Sequence, residues 1–316
     1  MRPWIMSLST AFAISLFALA AQAAEPAKPV AGAAAKPGAS AAPPAPAPVA
    51  KIPPCANAEG LGVSRIVEID TTGGPGFGFE HYKAYDFLQA KEVVLTFDDG
   101  PWVSTPAVLA ALANHCTKAT FFSIGKHALI YPEILKQVAA AGHTIGSHTF
   151  SHVDLSKLQP DQAKEEIEKG LSAVKLAMGA APASFFRFPF LRGPQDMEAY
   201  LGSRNLAIFS TDIDSFDFKH GKSGDSVIKT VIEKLEKKGK GIVLMHDFQK
   251  HTAEALPALL AELKAKGYKI VHLKSKVQAT SIASYDAELE KNSRGLVVGT
   301  GQPTSSVVKT IAGDAQ

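Results

Sequence analysis

From residue 93 onward, short apolar or β-branched runs alternate with longer amphipathic stretches. The runs cover 93–97, 119–124, 144–147, 184–188, 207–213, 242–245 and 268–273, and each is expected to form a strand. Helices are expected between them. Their starts are marked by Thr105 before Pro106 and Tyr131 before Pro132, and their stops by Gly142, Gly179 and Gly267. This repeated βα order predicts an α/β fold of parallel strands with right-handed crossovers, built either as an open doubly wound sheet or as a closed barrel. In both architectures function gathers at the carboxyl ends of the strands. Residues 65–69 add one more strand ahead of the repeat. The glycines of 73–78 read as a turn, since no Gly-Lys-Ser/Thr follows to build a phosphate loop.

The segments before the repeat have a different character. Arg2, the apolar stretch 5–21 and the small residues Ala21-Gln22-Ala23-Ala24 read as a secretory signal over 1–24, which places the mature chain in the periplasm or outside the cell. The apolar run lies near the short end for a bilayer span, so no stable transmembrane anchor is expected. Residues 25–54 are dominated by Ala and Pro and read as an extended linker with no core of its own. Residues 55–90 form an N-terminal extension, 91–275 the main domain, and 276–316 a polar tail to which the sequence assigns no role. A net charge of +3 among 46% hydrophobic and 20% charged residues describes an ordinary globular domain and gives no reason to expect nucleic acid. The basic cluster 234–240 reads as the solvated end of a helix. The two cysteines, Cys55 and Cys116, are compatible with one disulfide in an oxidising compartment.

The chemistry sits where the strands end. Thr96-Phe97-Asp98-Asp99-Gly100, His148-Thr149-Phe150-Ser151-His152, Arg187-Phe188-Pro189-Phe190, Asp214-Ser215-Phe216-Asp217-Phe218 and Leu244-Met245-His246-Asp247 appear in that order. His148 and His152, four residues apart on a helical turn or a tight loop, can face one ion. No glutamate follows the first histidine as in zincins, so a base must come from elsewhere. Asp98-Asp99 can supply it, because neighbouring residues at a strand end point in different directions, one toward a metal and one free. Two imidazoles and one carboxylate leave an open coordination position, the plan of a catalytic rather than a structural zinc site. Asp217 offers His246 a carboxylate that would orient the ring and favour its protonated form.

In these five motifs, over roughly residues 91–273, the chain resembles the polysaccharide deacetylase family, carbohydrate esterase family four, which shares the NodB homology domain. The resemblance implies a distorted seven-stranded β/α barrel, in agreement with the seven runs. It implies that Asp99, His148 and His152 hold a divalent metal, most simply Zn2+, with Co2+, Mn2+ or Ni2+ also compatible with the donor set. Asp98 is then the base that activates water, Arg187 its tuning partner, and the Phe190 N–H an oxyanion donor. His246 becomes the acid for the departing amine, oriented by Asp217. Phe218 and Leu244 line the pocket for the acetyl methyl. Phe190 and Phe218 stand where the family more often has Tyr and Trp. The implied activity is removal of N-acetyl groups from an acetylated polysaccharide such as peptidoglycan or a chitooligosaccharide. The alternatives are an O-acetyl esterase and a non-catalytic glycan-binding member. His81, His115, His127, His143, His220, His251 and His272 match no motif and read as structural or surface residues. Oligomeric state cannot be read from the sequence.

Overall fold

The computed structural model describes residues 57–293. The expected signal and linker, 1–54, the cysteine Cys55 and the tail beyond 293 lie outside the described residues. Cys116 is disulfide-bonded.

In chain order the elements are β1 (Arg65–Ile69), β2 (Gly76–Phe77), β3 (Glu92–Asp98), α1 (Thr105–Asn114), β4 (Thr120–Ser123), α2 (Gly125–Ile130), α3 (Pro132–Ala140) and β5 (Thr144–Ser147). Then follow α4 (Pro160–Met178), β6 (Phe185–Phe186), α5 (Gln195–Ser203), β7 (Ala207–Phe209), β8 (Ile213–Asp214), α6 (Gly224–Lys238), β9 (Gly241–His246), α7 (Lys250–Ala265), β10 (Lys269–Ser275) and α8 (Ala283–Ser293). Every pair of neighbouring strands is parallel. The expected helix boundaries hold. α1 and α3 carry proline in their first turn, and α4 stops at Gly179 in the left-handed conformation, φ 77°.

Seven strands, β8-β9-β3-β4-β5-β6-β7, form one hydrogen-bonded path. In a flat sheet β3 and β6, three steps apart, would lie roughly 14 Å from each other. Yet Arg187, just past β6, donates to Thr96 and Asp98 on β3 at 2.8 and 2.7 Å, and Phe122 on β4 meets Phe209 on β7 at 5.7 Å. The sheet is therefore curled into a barrel. It has an open seam, because β7 and β8 follow each other in the chain without a ladder between them.

The membership of this path differs from the sequence reading. Run 207–213 is two short strands, and run 268–273 is β10, which lies beside it and pairs with β1 and with the start of β3. The split has a local cause. The Arg187 guanidinium takes the carbonyls of Phe209 and Ser210, and the Asp212 carboxylate accepts the N–H groups of Phe79 and Ile242. Side chains thus occupy backbone groups that a continuous strand would offer to a neighbour. Lys234 and Lys238 add bonds to the Asp214 and Asp212 carbonyls, so the basic end of α6 braces this bend rather than simply meeting solvent.

Period-two alternation sorts the core. On β3, Val93, Leu95 and Phe97 face the helices, while Val94 belongs to the interior cluster with Phe122, Phe185, Phe209 and Ile242. The same alternation turns Thr96 and Asp98 inward. The tail also begins inside the domain: Lys175 pairs with Asp286 of α8 at 2.8 Å, and Leu289 is buried.

His143 and His272 are buried among Lys118 and Lys274. Burial first, and then these lysines, push both imidazoles down to about 3. The unfolded chain binds these protons near pH 6.5 while the native one refuses them, so their stabilisation is complete above that pH and drains as pH falls toward 3. Each histidine contributes a slope of up to about 1.4 kcal/mol per pH unit in this window. His272→Gln should flatten the pH dependence of the urea midpoint by about one proton; an unchanged slope would show that His272 is already charged in the folded protein.

Candidate active site

The five motifs converge at the carboxyl end of the barrel. Asp98 closes β3 with its side chain inward and almost fully buried. Asp99 follows at φ 73°, a left-handed conformation that Asp tolerates better than most residues, and this turns its carboxylate away from that of Asp98. The backbone twist is what lets two adjacent acids take different partners.

His148 leaves β5, and its Nδ1 lies 2.7 Å from the Arg187 carbonyl. That bond places the Nδ1 proton and leaves the Nε2 lone pair free. His152 is brought round by a tight turn, not a helix, with Thr149 at φ 64° and His152 at φ 59°. Ser151 fixes that turn through two bonds to the Glu166 carboxylate. His148 Nε2 and His152 Nε2 lie 3.4 and 3.3 Å from Asp99 Oδ1.

The donor set fits a divalent ion. One atom from each of Asp99, His148 and His152 lies within 4.8 Å of the others, and among the described residues the buried Asp99 Oδ1 has no hydrogen-bond partner. Both imidazoles are pushed down to about 3, His148 and His152 alike mainly by burial, so they are neutral and ready to ligate. Burial lifts the Asp99 carboxyl to about 7, against the opposing charge of His246. A buried carboxylate so placed favours a bound cation, which would offset its desolvation.

On one flank Asp98 Oδ1 accepts Arg187 Nη1 at 2.7 Å. Burial raises the Asp98 carboxyl above its ordinary range against the pull of Arg187, which suits a proton acceptor. Arg187 is itself fully buried and uses its guanidinium on Thr96, Asp98, Phe209 and Ser210, stacked 4.3 Å from the Phe122 ring centre.

On the opposite flank His246 Nδ1 lies 2.6 Å from Asp217 Oδ1, while the His246 N–H and Thr252 Oγ1 donate to Asp217 Oδ2. Burial pulls His246 down, but the hydrogen bond and charge of Asp217, with Asp99 and Asp98, carry it up to about 9. Burial alone would raise Asp217; its bonds to His246 and Thr252 hold it below the usual carboxylate range. His246 is therefore an imidazolium at neutral pH.

Between the flanks lies a cavity of about 210 Å³. Leu244 is buried in its floor. Phe190, 58% exposed, packs against His152 at a tilt, and Phe218, 49% exposed, meets His246 edge-on. Phe190 sits in a short 3-10 turn, Pro189–Leu191, in the left-handed conformation at φ 58°. The catalytic, metal-binding and substrate-binding residues expected from the sequence are thus brought to one place, while Cys116 lies apart, just past α1.

Other members of the site were not legible in the sequence. Asp247 is buried beside His246, accepts Thr105 Oγ1 and lies so close to Gly100 that a Cβ there would meet its Oδ2 at 2.0 Å. It locks the turn that follows Asp99 to the end of β9. Thr252, at the start of α7, completes the Asp217 shell, and His251 lies 2.9 Å from the Asp217 carbonyl. His127 lies 2.6 Å from the Asp99 carbonyl. The only advance signal was the His246-Asp247 dipeptide.

The family model "Polysaccharide deacetylase" matches residues 88–207. A peptidoglycan-N-acetylglucosamine deacetylase of Bacillus cereus is 34% identical over 194 residues, 60% of this chain and 69% of that protein. A chitooligosaccharide deacetylase of Bradyrhizobium is 30% identical over 200 residues, 58% of this chain and 90% of that protein. Among solved structures, a peptidoglycan deacetylase of Bdellovibrio bacteriovorus superposes with a TM-score of 0.63 at 35% identity, covering 69% of this chain and 61% of that one.

Proposed function

The chain belongs to the polysaccharide deacetylase family, and from that premise we propose that it hydrolyses N-acetyl groups of a GlcNAc-containing glycan of the cell envelope, releasing acetate. The observation that carries this reading is the pairing of a buried base and a charged acid, Asp98 with Arg187 and His246 with Asp217, on opposite flanks of one three-donor metal site. The expected signal sequence supports an exported enzyme, and no described helix is long and apolar enough to cross a membrane.

Asp99, His148 and His152 would hold the metal, for which we take zinc, with cobalt, manganese or nickel as alternatives. When bound, a divalent ion supplies a Lewis acid for the acetyl carbonyl and lowers the pKa of water at its open position. The protein's own groups do the rest. Asp98 accepts the proton of the attacking water, its carboxylate held in place by Arg187 Nη1. The Phe190 N–H donates to the developing oxyanion. His246 gives its Nε2 proton to the amine nitrogen as the C–N bond breaks, and Asp217 fixes the ring so that Nε2 faces the cavity. Leu244 and Phe218 enclose the methyl group. This arrangement favours an amide over an ester, since an amine leaves poorly without a proton whereas an alkoxide needs less help.

Acetate release from chitooligosaccharides and from peptidoglycan, with the metal-loaded protein beside a chelated control, tests the reading directly. His246→Asn should lower amide hydrolysis by roughly 10²- to 10⁴-fold and hydrolysis of an acetate ester much less. Equal loss on both would remove the argument for amides and favour an O-acetyl esterase. Chelator-insensitive acetate release would refute the metal site.

A further inference from the structure

A second cavity, of about 230 Å³, shares Asp99 and His152 with the catalytic pocket and continues past them along Ile124, Lys126, His127, Ser151 and Phe248. Its walls are held in place by the surrounding structure. His127 is anchored to the Asp99 carbonyl and packed 4.9 Å from Trp102, Ser151 is tied to Glu166, and Phe248 meets His246 at 5.7 Å. Apolar faces interleaved with a hydroxyl and an imidazole suit a sugar ring. A chain that enters the catalytic pocket and passes over Asp99 and His152 has its next ring here.

Lys126 sets the character of this cavity. Lys136, Lys164 and Lys169 pair with carboxylates, but among the described residues no carboxylate pairs with Lys126; its ammonium lies 5.6 Å from the Phe150 ring centre, exposed to solvent. The only acid on the cavity wall is Asp99, whose Oδ1 is turned to His148 and His152. The cavity therefore presents an uncompensated cation beside the position of the neighbouring sugar.

We infer that this cavity receives the sugar flanking the deacetylated ring and that Lys126 selects an acidic substituent, a carboxylate, on that sugar. The inference rests on the deacetylase reading and narrows it from N-acetylated glycans in general to acidic ones. Chitin-type chains carry no such group. A muramic acid ring carries a lactyl carboxylate when unsubstituted, and carboxylates of its peptide when substituted.

The test compares metal-loaded wild type, Lys126→Met and Lys126→Arg on chitotetraose, on a GlcNAc–muramic acid tetrasaccharide with free lactyl groups, and on the same glycan bearing peptides. A charge-assisted hydrogen bond makes the expected loss in Lys126→Met about tenfold in kcat/KM on an acidic glycan, carried by KM. Chitotetraose should change less than about twofold, Lys126→Arg should retain the preference, and salt should erase it in wild type. Loss confined to the free tetrasaccharide assigns the lactyl carboxylate; loss confined to the peptide-bearing glycan assigns the peptide. Equal loss on chitotetraose, or no loss on either acidic glycan, overturns the inference alone. No acetate from any of the three with metal bound overturns it together with the deacetylase reading.

Discussion

Asp98→Asn is expected to lower kcat for acetate release by roughly 10²- to 10⁴-fold while the metal remains bound one to one. The amide keeps an oxygen for Arg187 Nη1, now 2.7 Å from Asp98 Oδ1, but it cannot take a proton from water. Because Asp99 and not Asp98 faces the two imidazoles most closely, metal content should be unaffected. Measured metal stoichiometry beside kcat separates the roles of these adjacent acids. If Asp98→Asn loses its metal, Asp98 is a ligand and the division of labour proposed here is wrong.

Arg187→Met is expected to be the most destabilising single substitution at the site, by about 3–5 kcal/mol, because it strands a buried partner charge. Asp98 is almost fully buried, and Arg187 is its strongest partner. The carbonyls of Phe209 and Ser210 would also lose their donor at the point where the barrel seam opens. Urea unfolding of Arg187→Met, Asp98→Asn and the double variant gives a coupling energy. Strong coupling, with the double variant less damaged than the sum of the single ones, is the expected result. Additive losses would mean that Arg187 supports the seam and not the base.

The two variants also differ in what they leave intact. Asp98→Asn removes a proton acceptor from a standing barrel, so the activity loss should exceed the stability loss. Arg187→Met should move both together, because one guanidinium joins β3, the end of β6 and the bend after β7.

Much of this was legible along the chain. The alternation of apolar runs with helical segments set the βα order, since period and punctuation are local properties of ten or so residues. The five motifs named the metal, base and acid candidates, because each chemistry needs particular side chains close in sequence to a strand end. The residue types were thus readable before any contact was known. Tertiary structure decided what depends on neighbours distant in sequence. It split 207–213 at the carbonyls taken by Arg187 and moved 268–273 outside the barrel path. It also turned Asp99 away from Asp98 through a positive φ, recruited Thr252 and Asp247 to brace the site, and left Lys126 without a carboxylate partner among the described residues, beside a second cavity. No local pattern encodes these outcomes, because a buried hydrogen bond or an unpaired charge is defined by which distant residue folding brings within about 3 Å.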